Sequence, residues 1–330
     1  MTADQALAVS GLRLSVRGDE GTAKILDFAD LVVRKGSIVG LVGESGCGKS
    51  TIIRAVLGTL PETATVEKGE IRLLGDNLLA MNEADLNRTI RGRKIGFIPQ
   101  DPYLAFNPVF SVGDQILEIM RTHRDGFSEE QNKKHLLSIL KRVQIPSPEQ
   151  ALERYPDEFS GGQRQRLLIA AALVCAPMLI LADEPTTALD VTTQKEILVL
   201  LRELVDEFGI ALTLVTHDLG VVAELCDDVV VMYAGQTVES GPMASVLNHP
   251  AHPYTRALLA CHPDMARKLV GIPGSVPSAL HPPPGCRFSP RCSHATSDCG
   301  RRGARWSQVA NGHLANCILY DAAENDAATQ

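Results

Sequence analysis

Ile38-Val-Gly-Leu-Val-Gly43-Glu44-Ser45-Gly46-Cys47-Gly48-Lys49-Ser50-Thr51 decides the fold. An apolar strand runs into a glycine-rich loop, and the loop runs into a helix expected from Lys49 to about Gly58. Gly43 to Ser50 satisfies G-x-x-x-x-G-K-[ST], and strand–loop–helix is the context that pattern requires. Glycines let backbone N–H groups turn inward as an anion nest, and the helix N-terminus adds its dipole. Gly43, Glu44, Ser45, Gly46, Cys47, Gly48, Lys49, Ser50 and Thr51 are therefore the candidate nucleotide-binding residues. Lys49 would reach the β- and γ-phosphates of a nucleoside triphosphate, and Ser50 would ligate Mg²⁺. Cys47 reads as a small packing residue in mid-loop.

Downstream, Leu179-Ile-Leu-Ala-Asp183-Glu184 is an apolar strand closed by an acidic pair. Asp183 at the strand end would hold the Mg²⁺, and Glu184 would orient or deprotonate an attacking water. Phe159-Ser160-Gly161-Gly162-Gln163 opens a helix expected over Arg164–Val174. Its hydroxyl, glycine amides and helix N-terminus make a second anion site. Gln100 follows an expected strand at Lys94–Pro99, and His217 follows one at Ile210–Val215. A lone Gln or His is ordinarily a bland residue; their place in this ordered set makes both candidates.

The remaining chain frames these motifs. Residues 7–42 read as short β segments, and Glu70–Gly75 as another strand. Residues 101–160 look like a helical insertion, with a capping-box signal at Ser128–Gln131 before a helix over Gln131–Val143 that Pro146 and Pro148 end. Thr192–Phe208 is amphipathic. Val229–Tyr233 and Gln236–Ser240 flank Ala-Gly as a hairpin. Proline density then rises, which places a domain boundary near 245–250. The organisation expected is a domain over 1–248, a C-terminal region over 249–320 and a disordered tail over 321–330.

Bulk properties narrow the class. A 330-residue chain with 45% hydrophobic residues can build a sizeable core, and a net charge of −7 argues against nucleic acid as partner. The N-terminus lacks the basic and apolar regions of a secretion signal. The longest apolar run, Leu167–Ala182, falls short of the roughly 20 residues of a membrane span and contains Pro177. The chain is therefore expected to be soluble, with any membrane role coming through partners. Of eight cysteines, Cys286, Cys292, Cys299 and Cys317 crowd the C-terminal region with C-x5-C-x6-C-x17-C spacing. In a cytosolic protein such a cluster is more often a metal site than a disulfide set. The spacing is neither a zinc-ribbon pair nor that of bacterial ferredoxins.

The five motifs, in their order along the chain (Gly43–Thr51, Gln100, Phe159–Gln163, Asp183-Glu184, His217), resemble those of ABC-type ATPases. Gln100-Asp-Pro, Asn107-Pro-Val-Phe-Ser-Val-Gly113, Tyr155-Pro-Asp-Glu-Phe-Ser-Gly-Gly, Asp183-Glu-Pro-Thr-Thr-Ala-Leu-Asp190, His252-Pro-Tyr-Thr-Arg-Ala-Leu-Leu and Cys286-Arg-Phe-Ser-Pro-Arg-Cys292 resemble the oligopeptide/dipeptide importer type. Asn-Pro-Val-Phe looks like the first of the two ATPases such systems pair. The resemblance implies an α/β fold: a RecA-like P-loop core with a mostly parallel sheet, an antiparallel β subdomain, the helical insertion and a small irregular C-terminal region. It implies that Gln100 senses Mg²⁺ and water, that His217 contacts the γ-phosphate, and that Asp190 works across a dimer interface. Ser160, Gly161, Gly162 and Gln163 would face the ATP of a partner subunit in a head-to-tail dimer.

The family resemblance further implies a second ATPase subunit (in a hetero- or homodimer), two membrane permeases, an extracytoplasmic binding protein, and a place on the cytoplasmic face of the inner membrane. The solute would be a peptide, nickel chelate, opine or related molecule. The four C-terminal cysteines resemble a [4Fe–4S] segment; Zn²⁺ or reduced structural thiols are the alternatives. Two positions depart from the family pattern. Phe159 replaces the commoner Leu, and Val16-Arg17 lacks the aromatic that usually stacks on adenine, so either base affinity is weaker or Arg17 stacks in its place. The competing reading is a soluble, non-transport ABC ATPase. Such proteins usually carry two cassettes or long coiled coils, whereas this chain has one cassette and only residues 101–158 between Gln100 and the signature.

Overall fold

The computed structural model describes residues 4–261, 271–301 and 305–321, arranged as two compact units. The first comprises Met1–Val32, Val39–Leu79 and Thr216–Gln330, and the second Val33–Ile38 and Ala80–Val215. The first unit begins with β1 (Gln5–Gly18) and β2 (Gly21–Arg34), two long strands where the sequence suggested short segments. After them come β3 (Ile38–Val42), α1 (Lys49–Leu57), β4 (Ala64–Leu73) and β5 (Asp76–Asn77). An antiparallel sheet has the order β2-β1-β4-β5. All of β3 is buried, as its unbroken apolar run requires. Helix α1 buries Ile52, Ile53 and Val56, and stops at Gly58, whose φ of 66° is the left-handed cap that glycine favours.

The second unit holds α2 (Glu83–Thr89), β6 (Ile95–Ile98), α3 (Val112–His123), α4 (Glu129–Arg142), α5 (Pro148–Ala151), α6 (Gly161–Leu173), β7 (Leu179–Asp183), α7 (Val191–Phe208) and β8 (Ala211–Val215). The capping box at Ser128 and Gln131 forms, and α4 ends at Arg142. The prolines act later than expected, since Pro148 starts α5 rather than stopping α4. Helix α3 was not foreseen. It is capped by Ser111 and buries Val112, Ile116, Leu117 and Met120. Strands β6, β7 and β8 are parallel, with Ile98 opposite Ala182 and Asp183 opposite Val215.

The chain then completes the first unit with α8 (Leu219–Leu225), β9 (Asp228–Tyr233), β10 (Gln236–Pro242), α9 (Met243–Asn248), α10 (Pro253–Ala260), β11 (Ser307–Ala310) and β12 (His313–Ala315). Strand β9 lies parallel to β3, and the β9–β10 hairpin predicted from the sequence is present. Its turn residues Ala234 and Gly235 have φ of 45° and 86°, the doubly left-handed turn that matches strand twist. The segment beyond the last proline, Pro290, contributes β11 and β12, which extend the sheet through β10. The fully buried Glu239 ties them down: it accepts the N–H groups of Ala251 and His252 at 2.7 and 2.8 Å, and its Oε1 lies 2.7 Å from Nε2 of His313. The expected tail lies outside the described residues but for Asp321.

Candidate nucleotide site

The phosphate loop is built by close approach. A side chain at Gly43 (φ 152°) would put its Cβ 2.1 Å from the Met232 carbonyl, so only glycine lets β3 leave against β9. The Gly235 N–H donates to the Cys47 carbonyl at 2.9 Å, pinning the loop to the hairpin turn. Lys49 is 6% exposed, and its ammonium donates inward to the carbonyls of Gly43 at 2.7 Å and Glu44 at 3.2 Å. No side chain caps α1, whose N-cap is Gly48 at φ 103°. Cys47 is buried beside Lys49; burial pushes its thiol up more than the ammonium pulls it down. Beside this loop a groove is lined by Val16, Ile25, Thr51, Arg54 and Leu280, and no aromatic residue lines it.

In the second unit, strand register brings two candidates together. Gln100 and Glu184 each lie two residues beyond the paired Ile98 and Ala182. Gln100 Nε2 donates to Glu184 Oε2 at 3.1 Å. The Thr187 hydroxyl donates to the same oxygen at 3.0 Å, and the Glu184 N–H donates to the Val215 carbonyl at 2.9 Å. Glu184 adopts φ 47°, a left-handed conformation that a non-glycine residue holds only where its surroundings impose it. Asp183 ends β7 just before it, half-buried. His217 lies in the first unit, exposed, one residue before Asp218 caps α8.

The second anion site is the start of α6. Ser160 accepts the Gln163 N–H at 3.3 Å, and the Gln163 side chain accepts the Ser160 N–H at 3.1 Å, a complete capping box on an exposed residue. A Cβ at Gly161 would lie 3.1 Å from the Tyr103 hydroxyl, and one at Gly162 would come within 2.6 Å of Thr193 Cγ2. Asp190 caps α7 by accepting the Thr193 N–H at 3.0 Å and its hydroxyl at 2.7 Å. Those hydrogen bonds lower the Asp190 pKa.

Cys286, Cys292, Cys299 and Cys317 all line one small cavity in the first unit. All are free thiols. Burial pushes Cys286 up to about 11 and raises Cys292 and Cys317. Backbone N–H groups of His294 and Thr296 donate to the sulfurs of Cys292 and Cys299 at 3.4 Å each. Among the described residues, no three His, Cys, Asp or Glu side chains converge as a group that could hold a metal ion.

Sequence reasoning passed over several residues that shape these sites: Thr187 on Glu184, Thr193 under Gly162, and Tyr254 and Arg291 on Glu44. Thr187 sat inside a quoted motif and was legible. Glu44 lies more than 200 positions upstream of both Arg291 and Tyr254, a separation no local pattern reports.

A phosphate loop closed on a buried lysine and an acidic strand end answered by a glutamine mark a P-loop ATPase, and the Ser160-Gly-Gly-Gln163 helix start narrows the class to an ATP-binding cassette ATPase. The family described as ABC transporter matches residues 26–187, and the oligopeptide/dipeptide transporter C-terminal region matches residues 238–299. The chain is 44% identical over 320 residues to the probable peptide ABC transporter ATP-binding protein y4tR of Sinorhizobium fredii, covering 96% of this chain and 95% of that one. It is 41% identical over 316 residues to the oligopeptide transport ATP-binding protein OppD of Haemophilus influenzae, covering 95% and 97%. With the dipeptide transport ATP-binding protein DppD of Bacillus subtilis it shares 40% over 322 residues, 96% of each. Among solved structures, cbiO1 of Clostridium perfringens, part of the ABC transporter complex cbiONQ, gives a TM-score of 0.64 at 27% identity over 74% of this chain and 92% of that one. A dimeric bacterial ABC transporter cassette gives 0.63 at 27%, over 72% and 98%. The chain belongs to the ABC transporter family and is an ATP-hydrolysing transport subunit. Among the described residues no helix is long and apolar enough to cross a membrane.

Proposed function

We propose that this chain powers binding-protein-dependent import of peptides or related small solutes from the cytoplasmic face of the inner membrane. What carries the reading is the joint presence, in one chain, of a phosphate loop with an inward lysine and the oligopeptide/dipeptide-type C-terminal region. Gly43 to Thr51 cradle the triphosphate, with Lys49 on the β- and γ-phosphates. Ser50, Asp183 and Gln100 offer Mg²⁺ the hard oxygen donors it prefers, and the ion supplies charge neutralisation at the γ-phosphate. Glu184 orients and deprotonates the water, and His217 contacts the γ-phosphate. Ser160, Gly161, Gly162 and Gln163 act in trans on the partner's ATP, and Asp190 senses that partner. The hydrogen bond from Gln100 to Glu184 supports a shared role in holding water and metal.

The partner ATPase is a paralogue or a second copy. Two permeases dock on the insertion, where Tyr103, Leu104, Val109 and Phe110 are all exposed apolar side chains. An extracytoplasmic protein delivers the solute. The ATPase domain spans residues 1–248 and the C-terminal region 249–320. Four cysteines around one cavity, two of them receiving N–H donors, supply the residue type that a [4Fe–4S] cluster takes as ligands. Such a cluster would staple a segment with little core of its own.

A mild-detergent pull-down from native membranes, with mass-spectrometric identification, tests this reading. Two permeases and an ATPase are the expected partners; ribosomal or purely soluble partners would overturn the transport reading. Iron and acid-labile sulfide in anaerobically purified protein test the cluster, and finding neither removes it.

A further inference from the structure

The phosphate loop is gripped at Glu44 by two residues from the C-terminal part of the chain. The Tyr254 hydroxyl accepts the Glu44 N–H at 2.9 Å. Arg291, next to Cys292, donates from Nη1 and Nη2 to the two Glu44 carboxylate oxygens at 2.9 and 3.4 Å. The Arg291 side chain is 5% exposed, and Glu44 29%. The guanidinium has little freedom to turn. Nη1 also donates to the Tyr233 hydroxyl at 3.1 Å, Nη2 to the Ile272 carbonyl at 3.0 Å and Nε to the Pro273 carbonyl at 2.9 Å. A fork held at every nitrogen fixes its carboxylate in position as well as in charge.

The grip continues into the cysteine cavity. Tyr233, Tyr254 and Phe288 pack ring on ring, with centroids 4.6, 5.1 and 5.4 Å apart. Phe288 lines the cavity together with Cys286 and Cys292, which flank it in sequence. The route from those thiols to the loop is therefore a few packed side chains within one compact unit.

Glu44 matters to an anion site for two reasons. Its carbonyl is one of the acceptors of the Lys49 ammonium at 3.2 Å, so a shift of Glu44 shifts the lysine. Its carboxylate, left without a counter-charge, would repel a triphosphate bound to the same loop.

We propose that the cysteine-bearing C-terminal segment is a positioning part of the nucleotide site, in which Arg291 and Tyr254 fix and neutralise Glu44 so that the phosphate loop accepts a triphosphate. The proposal rests on the phosphate-loop reading above. Both residues act through Glu44, so they set nucleotide affinity and leave the hydrolytic step to other residues. The order of the cysteine segment, whatever its thiols hold, thereby sets that affinity.

Equilibrium binding of a fluorescent ATP analogue with Mg²⁺ to the full chain tests this, with steady-state ATPase and thermal unfolding without nucleotide measured alongside. Arg291→Met should weaken binding about tenfold and Tyr254→Phe about threefold, with KM rising by the same factors and kcat held. Arg291→Lys should recover part of the loss, since it restores the charge but not the fork. In a Glu44→Gln background, Arg291→Met should cost little more, because both changes break one contact. Tyr254→Phe keeps the ring packing and carries the test if Arg291→Met does not fold. Wild-type affinity in both Arg291→Met and Tyr254→Phe, or fully additive losses in the double variant, would overturn the proposal. Lys49→Ala separates the two readings. If it abolishes binding while the Arg291 and Tyr254 variants bind normally, only the positioning role falls. If it binds normally, the phosphate-loop reading falls with it.

Discussion

Two helix starts in this chain are candidates for phosphate, and they are built in opposite ways. At α1 the cap is Gly48, no side chain satisfies the helix end, and a buried lysine points back into the loop. At α6 the cap is Ser160, reciprocally bonded with Gln163 and exposed. The first is a receptor prepared inside one chain, with its positive charge already desolvated. The second has spent its side chains on its own helix and offers only its outer edge. That difference suits the head-to-tail dimer proposed above, in which α1 would hold the chain's own nucleotide and α6 would face a partner's.

The comparison breaks most visibly at Lys49. Lys49→Ala removes a charged donor to two phosphates and should weaken MgATP binding about a hundredfold, read by equilibrium binding; unchanged affinity would mean that α1 is not the receptor. Glu184→Gln should leave binding intact and lower turnover by about 10²–10⁴, while trapping an ATP-bound dimer visible by size-exclusion chromatography; unchanged hydrolysis would remove Glu184 from the reaction. Ser160→Ala should lower turnover of the assembled dimer about tenfold while costing the fold only about 1 kcal/mol for the lost cap. Equal loss of nucleotide affinity in a monomeric preparation would show that α6 serves its own chain's site instead. The smallest effect concerns Cys47. Because burial raises its thiol, little thiolate exists at neutral pH, so alkylation should be slow there and quicken as pH rises beyond the ordinary thiol range. MgATP should slow it further, and a rate indifferent to MgATP would argue that the loop does not close on phosphate.

Much of this architecture was legible because its signals are local. The glycine pattern before Lys49, the apolar run ending in Asp183-Glu184, the capping box at Ser128 and the Ala234-Gly235 hairpin each act through neighbours a few residues apart. Helix α3 escaped notice because its buried face, Val112, Ile116, Leu117 and Met120, is interleaved with polar residues and carries Gly113 in its first turn, whose missing side chain lets the Leu152 carbonyl approach. Strands β11 and β12 escaped notice because they are only four and three residues long, too short for a periodic signal, and are ordered by the distant buried Glu239 through its bond to His313.

The sequence by itself determined the chemistry: which loop can cradle phosphate, which carboxylates close the apolar strand, and which family this chain belongs to. Those depend on residue type and short spacing, which a linear string preserves. Tertiary structure alone decided that Gln100 meets Glu184, through the register of two parallel strands, and that Arg291 and Tyr254 close on Glu44 across more than 200 residues. Contacts at such separation are set by how the whole unit packs, because loop closure rises slowly with length and leaves no local mark on the chain.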